Sequence, residues 1–321
     1  MPSVERALDL IEQQNAALQA IAWLNPEAVE VAQRVDEATR TGTAGPLAGL
    51  TILAKSTFDV VGVPTDGSNK EWARVFTAAA PTDAVTVARA RAADAVILGK
   101  GAADDFAHGG GGLASATGQV WNPRYPDRER VAGGSSGGGA AAVAAGFCDA
   151  AFGTDDGGSN RIPAHYCGVV GVKTTFGLVP RSGVIPTWPW LDCHGPLAAR
   201  AAVAARVLQV MAGPDPSDKF SLRAPGMNAH SALPPKLASI RLGLVESHAR
   251  LDALSPRQAI AFSEALARLE AGGAQPQRCK PTDRSGLSQA ASSGFSISSI
   301  FRRIGVDAAI LMVSCPCGLK S

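Results

Sequence analysis

Apolar positions along the chain follow two spacings, one typical of amphipathic helices and one of buried strands. Between residues 3 and 24 they recur at roughly helical intervals, and a second helix is predicted to begin at Asn25-Pro26, because proline is favoured at the first helical position. Shorter, uninterrupted apolar runs predict buried strands. These strands cover residues 50–54, 95–98, 149–154 and 240–245.

Further helices are predicted from apolar spacing, Ala/Val-rich runs and flanking stop signals. They cover residues 82–93, 140–147, 162–168, 196–212 and 255–269. The chain has 321 residues, of which 46% are hydrophobic and 18% charged, so it can bury a sizeable core as one large domain or two modest ones. Its 35 glycines and 21 prolines supply the tight turns that a layered α/β architecture needs.

Charge and composition exclude several classes of function. The net charge is +2 and no basic run interleaves with aromatic residues, so no nucleic acid partner is expected. No uncharged apolar span of about 18 residues occurs, so no membrane partner is expected either. Acidic residues in the first predicted helix are unlike a secretory signal, and the cysteines show no zinc-site spacing with paired histidines. These features favour a cytoplasmic protein.

Two turns dense in glycine and serine are the most distinctive feature of the chain, at residues 133–139 and 155–161. A helix and a strand are predicted between the two turns. If they run antiparallel, both turns lie at the same end of this pair, which would bring Ser135 and Ser159 face to face. Glycine lets the backbone approach a ligand closely and leaves N–H groups free to point into a site. No Gly-Lys-Ser/Thr triplet follows the glycines and a polar loop precedes Gly133, so nucleotide binding is disfavoured.

A serine nucleophile needs a base, and lysines follow two of the predicted strands. Lys55 follows the run that ends at Ala54, and Lys100 follows the run that ends at Leu98, so both are candidates. The reference pKa of lysine is about 10.4, and bringing it near 7 requires about 4 kcal/mol of desolvation. The apolar residues that flank Lys55 allow such a dry site.

The same chemistry needs a proton path and an anion site. A second serine between the lysine and the nucleophile would relay the proton over a gap that neither spans. Backbone N–H groups in the second turn would hold the oxyanion that develops during acyl transfer, a role often worth about 3–4 kcal/mol per donor. These N–H groups belong to Asp156, Gly157, Gly158 and Ser159.

Two other kinds of site are compared with this one. His108, His165 and His194 keep a Ser–His–Asp site open as an alternative, although no Gly-x-Ser-x-Gly elbow is present. The pair Asp104-Asp105 suggests part of a metal site, but no second histidine or cysteine stands at a ligand spacing. Metal binding is therefore disfavoured.

Three segments together resemble the amidase signature family, and the similarity extends over about residues 45–215. The segments are residues 133–138 (GGSSGG), 153–163 (GTDDGGSNRIP) and 167–173 (CGVVGVK). The resemblance implies an α/β protein with the amidase signature fold, in which a mixed central β-sheet is sandwiched between α-helices. It also implies hydrolysis of amides and related C–N bonds through a Ser–Ser–Lys triad, with no metal or organic cofactor.

Carried over by position, the resemblance implies a role for each site residue. Ser159 would be the nucleophile that forms an acyl-enzyme. Ser135 would be the bridging serine, in an unusual cis peptide, and Lys55 would be the base. Gly134 and Ser136 would contact the substrate.

The residues around this triad carry further implications. Arg161 and Asp155 would brace the second turn, and Lys100 would be structural. Two departures from the family pattern bear on the site, because Ser56 stands where an aspartate usually follows the base lysine and Asp156 stands where threonine or a similar residue is usual. Asp156 adds negative charge beside the proposed oxyanion hole, which would slow acylation or select a cationic substrate.

The last part of the chain differs from the rest. The family pattern fades near Gln275, and members of the family are typically longer than this chain. Residues 1–275 are therefore predicted to form the amidase signature domain, with its core at 45–215, and residues 276–321 an atypical, poorly ordered tail. The fold is expected to be incomplete on its C-terminal side, as in a truncated or frame-shifted product.

The favoured function is that of an amidohydrolase that cleaves a carboxylic amide or a related C–N bond. Two alternatives remain: an inactive remnant that keeps the site residues, and the tRNA-dependent amidotransferase subunit of the same family. The expected partner is a small-molecule amide substrate. A homodimer, formed with a second copy of the chain, is kept as a candidate assembly.

Overall fold

The computed structural model describes residues 2–221, 241–244, 254–278 and 311–313. It consists of two compact units, of which the first comprises residues 1–227 with 308–314 and the second comprises residues 228–307 with 315–321. Most of the tail predicted at residues 276–321 lies outside the described residues.

A mixed sheet forms the centre of the first unit, as the family resemblance implied. In chain order, the described strands are β1 (Ile21–Leu24), β2 (Thr51–Lys55), β3 (Val96–Gly101), β4 (Leu113–Ala114), β5 (Gly118–Gln119), β6 (Ala150–Thr154), β7 (Val170–Val172), β8 (His194–Ala198), β9 (Arg241–Leu244), β10 (Gln275–Arg278) and β11 (Leu311–Val313). Seven of them form the sheet in the order β1-β3-β2-β6-β8-β7-β11. β2 runs parallel to β3 and β6, and the other pairs in this sheet are antiparallel.

Helices cover both faces of this sheet. In chain order, the described helices are α1 (Pro2–Leu18), α2 (Ala28–Thr41), α3 (Lys70–Val75), α4 (Val85–Ala92), α5 (Gly137–Ala145), α6 (Arg161–Cys167), α7 (Ala201–Met211) and α8 (Pro256–Ala271). Successive strand residues point to opposite faces, so Leu53 packs into one apolar core with α1, α2 and α5, whereas Ile52 packs into the other with α4 and α7. The prediction of a sheet sandwiched between helices is therefore confirmed.

The prediction of a helix across residues 3–24 was wrong at its C-terminal end. Helix α1 ends at Leu18, because the Asn15 side chain accepts hydrogen bonds from the N–H groups of Ala20 and Ile21, both at 2.9 Å. Residues 21–24 then extend as strand β1 at the edge of the sheet, antiparallel to β3. Helix α2 begins at Ala28, slightly later than predicted.

The prediction of a helix over residues 196–212 was wrong at its start. Residues 194–198 form β8, which pairs with both β6 and β7, and α7 begins only at Ala201. Every residue of β8 is buried, so its apolar run carries no period that distinguishes a strand from a helix.

The predicted start of the helix over residues 82–93 was also wrong. Helix α4 begins at Val85. The Asp83 carboxylate instead accepts a hydrogen bond from the Val61 N–H at 2.8 Å and pairs with Arg91.

The described part of the second unit contains two parallel strands and one helix. β9 pairs with β10, with Arg241 opposite Gln275. Helix α8 begins after Ser255, whose hydroxyl accepts a hydrogen bond from the Gln258 N–H in a capping box. The strand predicted at 240–245 is confirmed for residues 241–244, and its two end residues lie outside the described ones.

No helix in the described part of the chain has both the length and the apolarity needed to cross a bilayer.

Helix α5 packs so closely against neighbouring backbone that Gly138 has no room for a side chain. A Cβ at this position would collide with backbone atoms of Ala20 and Ala102. Gly138→Ala is therefore expected to lower the free energy of unfolding by at least about 2 kcal/mol, because backbone atoms cannot give way cheaply. Calorimetric thermal unfolding measures this loss. Gly110→Ala is the matched control, since its Cβ would meet nothing within 4 Å, and equal melting temperatures for both variants would contradict the packing.

Candidate active site

Lys55 ends β2 inside the protein and contacts two hydroxyl groups. Its Nζ donates hydrogen bonds to Ser135 Oγ and to Thr154 Oγ1, each at 2.7 Å. Thr154 ends β6, the parallel neighbour of β2, and Ser135 lies in the turn just before α5. The side chain of Lys55 is thus held by residues from three separate parts of the chain.

The environment of Lys55 favours its neutral form. Only 2% of Lys55 and none of Ser135 is exposed. Burial lowers the pKa of Lys55 to about 8, although the negative charges of Asp192, Asp156, Asp104 and Asp155 act in the opposite direction. An appreciable fraction of the amine is therefore unprotonated near neutral pH and able to accept a proton.

Lys100, the other candidate base, has different partners. It is fully buried, and its Nζ donates to the Pro64 carbonyl at 2.6 Å and to Thr65 Oγ1 at 2.7 Å. Burial lowers the pKa of Lys100 to about 8 as well. Its hydrogen bonds fix a loop rather than a serine of either glycine-rich turn, which fits the structural role expected for it.

The two glycine-rich turns lie side by side, as the antiparallel arrangement of α5 and β6 predicted. The Ser136 N–H donates to the Ser159 carbonyl at 3.0 Å, and the peptide bond between Gly134 and Ser135 is cis. Ser159 is 9% exposed and borders a cleft of about 350 Å³. The arrangement runs from a buried lysine, through a buried serine, to a turn whose serine reaches the cleft.

The cleft has walls from three segments. Asp156, Gly157, Ser159 and Ile162 come from the second turn and the start of α6. Thr187 and Trp188 form another wall, and residues 107–109 form a third.

An ion pair braces the second turn, as predicted. The Asp155 carboxylate accepts hydrogen bonds from Arg161 Nε and Nη2, both at 2.9 Å, and from the N–H groups of Gly158, Asn160 and Arg161. Burial would raise the pKa of Asp155, but Arg161 outweighs it and holds that pKa below its ordinary value. Both charges are thereby committed to shaping the turn.

One of the four expected oxyanion donors is already occupied. The Gly158 N–H donates to Asp155 Oδ1 at 2.8 Å, so it does not point freely into the cleft. The N–H groups of Asp156, Gly157 and Ser159 have no acceptor within the described part of the chain. These three, rather than four, are available to an oxyanion.

The substrate contacts expected at Gly134 and Ser136 are not part of the cleft wall. Ser136 is 1% exposed, and its hydroxyl donates to the Thr154 carbonyl at 3.3 Å. A side chain at Gly134 would collide with the Asp104 carboxylate. Both positions pack the first turn against its neighbours, and their contact with a substrate stays a prediction.

Asp104 supports the first turn. Its N–H donates to the Ser135 carbonyl at 3.2 Å, and its carboxylate accepts from the Leu113 N–H. Burial raises the pKa of Asp104. Among the described residues, no group of three or more His, Cys, Asp or Glu side chains is placed to hold a metal ion.

The histidines offer no Ser–His–Asp site in the described structure. His194 is fully buried, with its Nε2 3.6 Å from Asp192 Oδ1 and its ring 5.1 Å from that of Phe58. His108 lines the cleft, and its Nδ1 lies 3.0 Å from the Phe106 carbonyl. No histidine ring hydrogen-bonds to a serine among the described residues, His165 included.

Asp156 and Asp192 form an acidic pair beside the lysine. Burial and the neighbouring Asp192 raise the pKa of Asp156 to about 7. Burial would also raise the pKa of Asp192, but the adjacent His194 outweighs it and leaves that pKa below its ordinary value. The two carboxyl groups titrate as a coupled pair, which therefore carries less than two full negative charges near neutral pH.

Thr154 and Asp192 were absent from the residues expected at the site. The sequence contains a signal for Thr154, because Lys55 and Thr154 each end an apolar run and these two runs form neighbouring parallel strands in the sheet. Asp192 had none, since it lies in a proline-punctuated loop more than a hundred residues after Lys55.

Comparison with known proteins gives consistent matches. The Amidase family model matches residues 2–301. The A-subunit of glutamyl-tRNA(Gln) amidotransferase from Synechococcus sp. (strain WH7803) is 41% identical over 244 residues, which make up 76% of this chain and 49% of the relative. The chain spans about half the length of the curated relatives it matches.

Solved structures extend the similarity to the fold. One, described as a vestigial protein complex that reveals the evolutionary origins of an s-triazine catabolic enzyme, is 33% identical with a TM-score of 0.80, covering 94% of this chain and 66% of that one. The native peptide amidase from Stenotrophomonas maltophilia is 29% identical with a TM-score of 0.75, covering 94% of this chain and 64% of that one. The matched sequence and the shared fold show that this chain belongs to the Amidase family.

Proposed function

We propose that this chain is an amidohydrolase that cleaves a carboxylic amide, or a related C–N bond, through an acyl-enzyme on Ser159. The observation that carries the proposal is the buried contact of 2.7 Å between Lys55 Nζ and Ser135 Oγ, beside the turn that presents Ser159 to the cleft. Membership of the Amidase family supports the same class of reaction.

In the first half-reaction, neutral Lys55 accepts the hydroxyl proton of Ser135 while Ser135 accepts that of Ser159. The Ser159 Oγ attacks the carbonyl carbon of the amide. The oxyanion that forms receives hydrogen bonds from the available N–H groups of the second turn. The proton then returns along the same path to the amide nitrogen, the C–N bond breaks, and ammonia or an amine leaves.

In the second half-reaction, water attacks the acyl-enzyme carbonyl and gives its proton to Lys55 through Ser135. Collapse of the tetrahedral adduct breaks the bond to Ser159 Oγ, which regains a proton, and releases the carboxylic acid. One water is consumed for each amide. Thr154 holds the amine in place throughout, because its hydroxyl lies 2.7 Å from Lys55 Nζ.

The amidotransferase role is the second candidate. It is favoured by the 41% identity with the A-subunit of glutamyl-tRNA(Gln) amidotransferase. In the amidotransferase role, the chain would work with partner subunits rather than alone or as a homodimer. Free thiols at Cys148, Cys167 and Cys193 fit the reducing, cytoplasmic setting that we retain for either role.

Ammonia release from a panel of aliphatic, aromatic and urea-type amides tests the proposal. Hydrolysis of any member by the purified wild-type chain supports it. A panel without turnover, together with folded protein that forms no fluorophosphonate adduct at Ser159, would identify an inactive remnant. Glutamine-dependent amidation of glutamyl-tRNA that appears only with co-purified subunits would favour the second candidate.

A further inference from the structure

The wall of the described cleft contains one carboxyl group, that of Asp156, and one imidazole, that of His108. Asp156 is the carboxyl group that lines the cleft beside Ser159, and no lysine or arginine is among the lining residues of this described cleft. Asp156 and Ser159 line the same cleft, so an amide whose carbonyl reaches Ser159 shares that cleft with the Asp156 carboxyl group.

The cationic side chains near Asp156 are committed elsewhere. Arg161 makes its two side-chain hydrogen bonds to Asp155. Lys55 donates to Ser135 and Thr154, and it is uncharged in the form that accepts a proton. Among the described residues, neither cation hydrogen-bonds to Asp156, although the charged form of Lys55 lies close enough to attract its carboxylate.

Asp156 also has an unused acceptor. Its Oδ1 is buried and accepts no hydrogen bond from any described residue. Its neighbour Asp192 is 1% exposed, and Asp192 Oδ1 likewise receives no hydrogen bond within the described structure, although His194 lies 3.6 Å away. A buried acceptor without a donor is costly, so the pair is stabilised by a positive charge placed beside it in the cleft.

An aromatic ring completes the wall. Trp188 lines the same cleft and is 51% exposed, so its ring is accessible to a ligand. The face of an indole ring attracts cations, and a planar guanidinium also stacks on it. A carboxyl group and an open tryptophan on one cleft form a chemically matched pair for a positively charged group.

We propose that the amide hydrolysed by this chain carries a cationic amine or guanidinium group near its carbonyl, recognised by Asp156 and Trp188. This inference rests on the proposed amidohydrolase function and names its substrate class. Two effects were expected for Asp156, slower acylation or the selection of a cationic substrate. The proposal assigns the second effect to it.

Matched pairs of amides test the proposal, because each pair differs by a charge and hardly in shape. The pairs are β-alaninamide with butyramide and 4-aminobutyramide with valeramide. At pH 8, where Asp156 is largely ionised, we expect kcat/KM for at least one cationic member to exceed that of its neutral partner by at least about tenfold. The pair with the largest ratio reports the distance from the carbonyl to the cation.

Three variants locate the effect. Asp156→Asn is expected to bring the ratio to between one and about three, and Trp188→Leu to lower it in part. Asp127→Asn, an exposed aspartate outside the cleft, makes the same change of charge and should keep the wild-type ratio. A wild-type ratio near one, or a high ratio that persists in Asp156→Asn, would overturn the proposal.

Equilibrium binding separates this proposal from the proposed function. Calorimetry on the Ser159→Ala protein should show tighter binding of the cationic amide than of its neutral partner, and the double variant with Asp156→Asn should lose the difference. That result without any turnover by the wild type would refute amide hydrolysis while supporting the cation site. Equal binding of both amides would overturn the cation site, whatever the enzyme hydrolyses.

Discussion

Ser159→Ala is expected to abolish amide hydrolysis, with kcat/KM falling by at least about 10⁴-fold. Ser159 borders the cleft, whereas the hydroxyl of Ser135 is fully buried and engaged by Lys55, so no second serine in this pair can replace it as the attacking group. Ammonia release measures the loss. Thermal unfolding of the variant should match the wild type, because the side chain removed is small and lies at the cleft surface.

Ser182→Ala provides the control for this prediction. It removes the same hydroxyl from a partly buried loop position outside the cleft, where the backbone carbonyl, not the hydroxyl, accepts a hydrogen bond from Val85. Its rates should equal those of the wild type. A Ser159→Ala enzyme that keeps rates within about tenfold of the wild type would rule out an acyl-enzyme on this residue.

Lys55→Met is expected to lower kcat by about 10³-fold or more, because it removes the proton acceptor while nearly preserving side-chain volume. The chain offers an unusually well-matched comparison in Lys100→Met. Both lysines are buried, lie on adjacent parallel strands, and have pKa values lowered by burial to about 8. Their partners differ, since Lys55 contacts Ser135 and Lys100 contacts the loop at Pro64 and Thr65.

The two lysine variants should therefore fail in different ways. Lys100→Met is expected to lower the free energy of unfolding by about 1–3 kcal/mol, because the Pro64 carbonyl loses its donor, while kcat per folded molecule stays within a few-fold of the wild type. Steady-state kinetics and chemical unfolding on both variants measure the two effects separately. A loss of kcat in Lys100→Met as large as in Lys55→Met would remove the base role from Lys55.

The glycine-rich turns could be located from the sequence because the information is local. A single segment of about thirty residues contains both turns, the helix α5 and the strand β6, so their geometry follows from element lengths. Lys55 and Lys100 both follow buried apolar runs, and only the family resemblance chose Lys55. Its contact with Ser135 joins residues that are 80 positions apart, which no local pattern encodes.

Other features depend on contacts that no local pattern encodes. Strand β8 is a strand because β6 and β7 flank it, and the same apolar residues could equally have continued α7. The Gly158 N–H is not available to an oxyanion because it donates a hydrogen bond to the Asp155 carboxylate in the same turn. The pKa of Asp156 is raised by its burial and by Asp192, which lies in a different loop. Each of these is a tertiary effect that overrides what the residue type alone suggests.

The rate of covalent labelling of Ser159 by a fluorophosphonate, followed against pH by peptide mass spectrometry, tests most directly whether neutral Lys55 activates this serine. The adduct should form on Ser159, and its rate should rise about tenfold per pH unit below pH 8 and level off above it, because the neutral fraction of Lys55 follows its lowered pKa of about 8. The rising limb should vanish in Lys55→Met and remain in Lys100→Met. A rate that does not change with pH, a limb near the ordinary pKa of histidine at about 6.5, or an adduct on another residue would contradict the proposed triad.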